Sequence, residues 1–196
     1  MKNLILTLVA TIMALTACSP TTEQKGGKIA ETTEFIPNIN ISTEVISQTE
    51  IKALIKTNFP ESTSLTITAS RDYKRKNINE QYSADLFYSH SSIVKNGQVS
   101  FTFNPLDHSW IDEYEALRNQ NGKFDKKLTE IDINSIKDTI EISVLFTPKA
   151  KQPESVIKLL GSNGENLNGN DVETNTGGFK IYEKKLKFQN KYKISR

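Results

Sequence analysis

The sequence predicts a mainly β domain, an antiparallel sandwich-like fold with one short N-terminal amphipathic helix. Apolar side chains recur at every second position in residues 65–70, 99–103 and 140–147, with polar side chains between them except at Leu145. This alternation marks strands with one buried face and one wet face. A wet face favours antiparallel sheets, because parallel sheets are covered on both faces. Asn96-Gly97, which lies between two extended segments, adds a strong hairpin signal.

The predicted helix covers residues 48–58, near the start of the domain. Ser47 and Glu50 have the spacing of a capping box, in which the two side chains satisfy the first N–H groups of a helix. The apolar residues that follow recur at helical spacing and are Ile51, Leu54, Ile55 and Phe59. Lys52 and Lys56 fall on the opposite side, and Asn58 and Pro60 end the helix.

The whole chain after Pro60 is predicted to form strands and turns. Asn121-Gly122 and Asn163-Gly164 lie in settings similar to that of Asn96-Gly97, and such pairs adopt the positive φ angles of hairpin turns. Several short strands at regular spacing are typical of a sandwich or a barrel. The chain lacks the cysteine pair of an antibody-type domain, since it has one cysteine.

The N-terminus has the pattern of an export signal. Lys2 precedes an apolar run over 4–15, which is too short to span roughly 30 Å of hydrocarbon comfortably. The run leads into Leu15-Thr16-Ala17-Cys18, which resembles the lipobox of bacterial lipoproteins. The resemblance covers residues 1–18 and implies cleavage before Cys18, with lipid attached to the Cys18 thiol and to the new amine. An ordinary signal with a chance cysteine, or an uncleaved anchor, is the alternative.

The resemblance also suggests a location and a domain organisation. Ser19 stands where an aspartate favours retention in the inner membrane, so its presence favours the outer membrane, on the periplasmic or the surface face. Residues 1–17 are the predicted signal peptide, 18–34 a lipidated flexible tether and 35–196 a β-rich globular domain. The tether is nearly devoid of apolar residues and would reach roughly 20–25 Å.

The residues with catalytic or metal-binding chemistry form no recognisable pattern. Asp107-His108-Ser109 contains the three residue types of a catalytic triad, but three neighbours in the chain cannot hydrogen-bond in series as a triad does. A turn explains these residues better. His90 has no partner at metal-ligand spacing. Asp112, Glu113 and Glu115 would alternate between the faces of a strand, which favours a solvated edge over a glycosidase pair. We therefore predict no catalytic residue, no metal ion and no cofactor.

Two further segments have a functional and a structural interpretation. Trp110 and Tyr114 could stack against a sugar, but the sole tryptophan of a small sandwich is more often part of the core. Residues 161–171 look superficially like a calcium loop. They depart from the EF-hand pattern, and Asn-Gly turns explain the same composition more simply.

The C-terminal segment 180–196 is the most basic part of the chain, with six lysines and one arginine against Glu183 alone. We predict terminal strands with solvent-facing lysines. The residues predicted to face the core are Phe179, Ile181, Leu186 and Phe188. This set changes parity, which requires a bulge near Lys184 or a turn. The alternative interpretation is attraction to an anionic surface such as phospholipid or an acidic partner.

Three functions are compatible with these observations. The first is a non-enzymatic binding or assembly module of the cell envelope, held to the membrane through lipid on Cys18. The second is a surface-exposed adhesin or host-interaction lipoprotein, and the third is an envelope hydrolase with dispersed residues. The partner would be an envelope protein or an anionic surface. Nucleic acid is disfavoured, because the chain is predicted to be exported and its formal net charge is only +2.

Overall fold

The computed structural model describes residues 34–121 and 128–192. The predicted signal peptide, Cys18, the tether up to residue 33, Gly122 and residues 193–196 lie outside the described residues. The strands are β1 Ile39–Ser47, β2 Glu50–Thr57, β3 Ser64–Arg75, β4 Gln81–Ile93, β5 Gln98–Phe103, β6 Ile131–Asp132, β7 Thr139–Phe146, β8 Val172–Thr174 and β9 Lys180–Gln189. The helices are α1 Ser109–Asn121 and α2 Glu154–Leu160, with a 3-10 turn at Ile133–Ser135.

The strands form two antiparallel sheets, which confirms the prediction of a mainly β fold. The small sheet has the order β1-β2-β5. The large sheet has the order β4-β3-β7-β9-β8, with β6 paired to β3. One hydrophobic core contains buried residues from both sheets, including Ile55 of β2 and Ile142 of β7. Burial of these side chains is the main force that holds the fold together.

The three segments with strict alternation are strands, as predicted. Leu65, Ile67 and Ala69 of β3 are fully buried, and the threonines and serine between them are half-exposed on the other face. The four inward-facing residues of β7, which are Ile140, Ile142, Val144 and Phe146, are also fully buried, and Leu145 on the other face is half-buried. Alternation identified these strands because one face of each packs on the core and the other does not.

The predicted helix at 48–58 is wrong, because this segment forms β2. Ser47 and Glu50 are cross-strand partners that flank a tight turn, and Ser47 Oγ accepts the Thr49 N–H at 3.2 Å. The buried residues of β2 are Ile51, Ala53 and Ile55, at every second position. The apolar spacing of the segment fitted both a helix and a strand, and pairing with β1 and β5 selects the strand.

The two helices occupy segments that were predicted to be strands and turns. Asp107 Oδ1 accepts the Ser109 N–H at 3.0 Å, so its carboxylate satisfies a donor in the first turn of α1. Ile111 and Tyr114 are the buried residues of this helix. Two positions form an apolar stripe that is too short to be recognised in the sequence. Within the ranges 34–121 and 128–192, no helix is long and apolar enough to cross a membrane.

The hairpin turn at Asn96-Gly97 is confirmed. Both residues have positive φ, 52° and 69°, as a two-residue hairpin loop requires. Lys95 and Gln98 close the turn with backbone hydrogen bonds of 3.0 and 3.1 Å. Asn163-Gly164 is not a hairpin turn between strands, because it lies in the loop that follows α2. Asn121 is the last residue of α1, so the hairpin predicted there is also wrong.

Replacing Gly97 with valine should lower the free energy of unfolding by about 1–2 kcal/mol. A β-branched residue is strained at this φ, and a Cβ atom at Gly97 would lie 3.3 Å from the Thr57 carbonyl oxygen. Gly178→Val separates the strain from the contact, because Gly178 has a φ of 77° but no atom within 4 Å of the added Cβ, so its loss of stability should be the smaller one. Urea denaturation measures both variants, and an unchanged midpoint for Gly97→Val would contradict the turn geometry.

The C-terminal segment forms one regular strand, β9, without the predicted bulge. Its pairing with β7 keeps one register from Gln189 to Tyr182. Tyr182 is buried in the core, so its neighbour Ile181 points to the other face, contrary to the prediction. Lys184 shares the inward face with Tyr182 and Leu186. No bulge is needed because the core residue is Tyr182 and not Ile181, so the inward residues Tyr182, Leu186 and Phe188 are all at even positions.

Candidate functional site

The sequence candidates for catalysis do not come together in the described structure. The Asp107 carboxylate accepts hydrogen bonds from the Ser109 N–H and hydroxyl at 3.0 and 3.1 Å, which is a helix-capping arrangement. His90 lies on edge strand β4, and its Nδ1 is 2.7 Å from the Tyr88 hydroxyl. No group of three histidine, cysteine, aspartate or glutamate side chains is placed to hold a metal ion among the described residues.

Trp110 and Tyr114 belong to a second hydrophobic cluster beneath α1, which confirms the core interpretation. The Trp110 ring lies 4.9 Å from that of Tyr73. Tyr114 is buried, and its hydroxyl donates to the Thr129 carbonyl at 2.6 Å. Asp112 and Glu113 are exposed as expected, but on a helix and not on a strand edge. Neither aromatic ring therefore presents a free stacking platform.

The calcium-like loop is held by two lysine side chains. Lys180 Nζ donates to the carbonyl oxygens of Glu165 and Leu167 at 3.2 and 2.6 Å. Lys149 Nζ donates to the Asn163 side-chain oxygen at 2.6 Å. The backbone N–H of Asn163 holds the pKa of the Glu165 carboxyl below its usual range. These ammonium groups occupy oxygen atoms that a bound cation would need, which favours the turn interpretation.

The lysines of β9 are accompanied by carboxylates. The nearest pairs are Lys184–Asp171 at 2.9 Å, Lys185–Glu183 at 3.2 Å and Lys187–Glu141 at 3.1 Å. The hydrogen bond from Lys184 to Asp171 raises the pKa of that lysine. Pairs of this kind reduce the local positive potential, so the strand is a weaker attractor of anions than its sequence indicates.

Changing Lys185, Lys187 and Lys191 together to glutamine should alter the free energy of unfolding by less than about 0.5 kcal/mol per site. The reason is that exposed ion pairs contribute little, since solvent and salt screen them. Binding of the unlipidated protein to phosphatidylglycerol vesicles should be negligible before and after the change. The matched control replaces the exposed Lys137, Lys151 and Lys158. Salt-sensitive vesicle binding that only the first variant loses would contradict this prediction.

One charged residue inside the fold was not foreseen from the sequence. Arg71 of β3 is 1% exposed and lies on the inward face between Ala69 and Tyr73. Its Nη2 donates to the Pro105 carbonyl at 2.7 Å, and its Nε and Nη1 have no hydrogen-bond partner in the described structure. Burial lowers the pKa of Arg71, and the charge of Asp138 opposes this shift. Because the side chain is enclosed in the fold, we interpret Arg71 as structural.

The outward face of the small sheet has a different composition. Its side chains form three cross-strand rows, which are Asn40–Lys56–Gln98, Ser42–Leu54–Ser100 and Glu44–Lys52–Thr102. We call this surface the open face. All of these residues are exposed except Leu54, which is half-buried at the centre. The open face therefore presents hydroxyl and amide groups, two lysines and one glutamate around one apolar side chain.

Three of the described cavities border the open face and share Gln98. One of about 300 Å³ is lined by residues that include Ser42, Leu54 and Ser100. Another, of about 400 Å³, lies between the end of β4 and β5 and is lined by Ile93 and Lys95, among others. The third, also of about 400 Å³, reaches the Asn96-Gly97 turn. These cavities make the open face and the β5 edge the candidate binding site.

Sequence reasoning missed this site because β2 was predicted to be a helix. Lys52, Leu54 and Lys56 alternate with the buried residues of β2, so the signal for a strand with a polar outer face was present. Comparison of the chain with models of known protein families, with curated proteins and with solved structures finds no significant match. The assignment of the site therefore depends on geometry and chemistry alone.

Proposed function

We propose that this protein is an envelope lipoprotein, anchored through Cys18, whose β domain binds a partner through the open face without acting as an enzyme. The lipobox-like residues Leu15-Thr16-Ala17-Cys18 support the anchor. The observation that carries the binding role is the cluster of three cavities around Gln98. Ligand sites are concave surfaces, and the polar lining of these cavities favours a partner that is held by hydrogen bonds and charge.

The proposed domain architecture is a β-sandwich, with the small and large sheets as its two layers. The shared core supports this arrangement, as does the stacking of Phe87 of β4 on Phe101 of β5 at 4.3 Å. β1, β2 and β5 form one sheet, and β3, β7 and β9 belong to the other. If the short strands β6 and β8 are not counted, these are strands one, two and five and strands three, six and seven, which is the division found in immunoglobulin-type sandwiches. In this chain the fourth strand pairs with the third. Such an arrangement implies a fold and not a function.

The proposed location is the outer membrane, on its periplasmic or surface face. Ser19 after the cysteine supports it, because no aspartate is present at the position that favours inner-membrane retention. A lipid anchor and a short tether would keep the domain close to the headgroups, where its partner is an envelope component.

Site-specific photocrosslinking in native membranes tests the proposed function. A photoreactive amino acid at Gln98 of the full-length protein should give a discrete crosslinked product. The matched control places the same amino acid at Gln189, an exposed glutamine on β9 of the large sheet. A product from position 98 and none from position 189 is the expected result. Products of equal yield at both positions, or none at position 98, would contradict the proposal.

A further inference from the structure

β5 is an edge strand with free backbone groups. It pairs with β2 on one side, where the Gly97 carbonyl accepts the Thr57 N–H at 2.9 Å. Gln98 exchanges both of its backbone hydrogen bonds with Lys95 across the turn. Because the residues of an antiparallel strand alternate in direction, Ser100 and Thr102 point their N–H and C=O groups away from β2.

In the part of the chain that the structure describes, the other edge strands are protected. β4 has two register shifts along its pairing with β3, and such bulges disrupt edge-to-edge pairing. β1 has a register shift near Ser47, and its first half lies beside Lys184 and Leu186 of β9. β8 has only three residues, and the edge of β9 beyond it carries Lys184, Lys185 and Lys187, whose charges discourage pairing. β5 has one continuous register, no proline and no charged residue, so it lacks these protections.

Two cavities lie next to β5, and one of them is at its free edge. The one next to Leu54 and Ser100 opens on the open face, and the one next to Ile93 and Val99 opens towards β4. A strand that pairs with an edge points alternate side chains to opposite faces of the sheet. The cavity next to Ile93 could therefore receive the side chains that an added strand points towards β4, while backbone hydrogen bonds hold the strand to Ser100 and Thr102.

The charges around these cavities favour an acidic partner. Their walls contain Lys52, Lys56 and Lys95 and one carboxylate, that of Glu44. Glu61 lies nearby, where it accepts the Gly97 N–H at 3.2 Å. The lining therefore has an excess of positive charge, which attracts an anionic segment and repels a basic one.

We infer that β5 binds an extended, acidic polypeptide segment of a partner protein by antiparallel strand addition. This inference rests on the proposed function and specifies the partner of the same site. A second copy of this chain fits less well. A dimer built on six residues of β5 would bury far less than the roughly 1,200–2,000 Å² of a stable interface. It would also bring the lysines of both copies together.

Fluorescence anisotropy with the full-length protein in detergent tests this inference. The probe is a short labelled peptide of alternating valine and glutamate, and the control peptide has lysine in place of glutamate. The acidic peptide should bind with an affinity that falls as salt is added, and the basic peptide should not bind. Thr102→Pro removes an outward N–H without removing a hydrogen bond to β2, so the affinity should fall at least about tenfold. Gln189→Pro, on the free edge of β9, should leave the affinity unchanged.

A second variant covers the case in which Thr102→Pro does not fold. Lys95→Gln leaves the backbone of the turn intact, and it should weaken binding of the acidic peptide about two- to fivefold. Equal binding of both peptides, no binding of either, or full affinity in Thr102→Pro would overturn the inference. A dimer that Thr102→Pro abolishes would also overturn it, in favour of a second copy. If Gln98 still crosslinks while the acidic peptide does not bind, the proposed function stands and strand addition fails.

Discussion

Replacing Ile55 with alanine is expected to lower the free energy of unfolding by about 2–4 kcal/mol. Ile55 is 0% exposed, and its cross-strand neighbours are Ile41 of β1 and Val99 of β5. The truncated side chain would leave a cavity in the core shared by the two sheets. Leu54→Ala is the matched control, because Leu54 is half-buried on the open face. Its expected effect is below about 1 kcal/mol, since little apolar surface is lost.

Urea denaturation of both variants separates a strand from a helix in this segment. A helix over 48–58 would bury both Leu54 and Ile55, because they follow Ile51 by three and four residues and so lie on one apolar stripe. The two losses of stability would then be similar. A difference of roughly 2 kcal/mol between the variants is the result expected for β2.

Arg71→Ala is expected to destabilise the protein by about 2–4 kcal/mol. The substitution empties the space between Ala69 and Tyr73 and leaves the Pro105 carbonyl without the donor that now lies at 2.7 Å. Arg71→Met fills most of the same space without a charge. Like alanine it leaves the Pro105 carbonyl without this donor, but it removes two buried N–H groups that have no hydrogen-bond partner, so it should lie within about 1 kcal/mol of the wild type.

The comparison of the two Arg71 variants identifies what the side chain contributes. If methionine restores stability, Arg71 acts through its volume and packing. If methionine is as damaging as alanine, the polar interactions of the guanidinium with the Pro105 carbonyl and with Asp138 are the larger contribution, and our interpretation is wrong. Thermal unfolding monitored by circular dichroism gives both values under identical conditions.

Strict alternation made β3, β5 and β7 predictable, because one face of each strand is buried and the other is polar. In β2 the apolar residues at Ile51, Leu54 and Ile55 satisfied helical spacing, although the alternation of Ile51, Ala53 and Ile55 with two lysines also fitted a strand. Its identity depends on pairing with β1 and β5, which local sequence does not encode. α1 was missed for the opposite reason, since Ile111 and Tyr114 alone form its buried side.

The candidate site could not be predicted because its residues are far apart in the chain. Asn40, Lys56 and Gln98 form one row only after the register of three strands is fixed. The protection of an edge is likewise a property of pairing: the bulges of β4 are visible in its register with β3 and not in its composition. The basic segment was the most conspicuous feature of the sequence, but its lysines have carboxylate partners from other elements.

The anchor at Cys18 is the central claim of this account, and metabolic labelling with a radioactive fatty acid tests it most directly. The wild-type protein should incorporate label and mature to the size expected for cleavage before Cys18. Cys18→Ser should incorporate no label and should accumulate as the uncleaved precursor, because the thioether cannot form without the thiol. Ser19→Cys in the Cys18→Ser background is a useful control for the position of the thiol. A Cys18→Ser protein that still carries labelled acyl chains, or that matures normally, would contradict the claim.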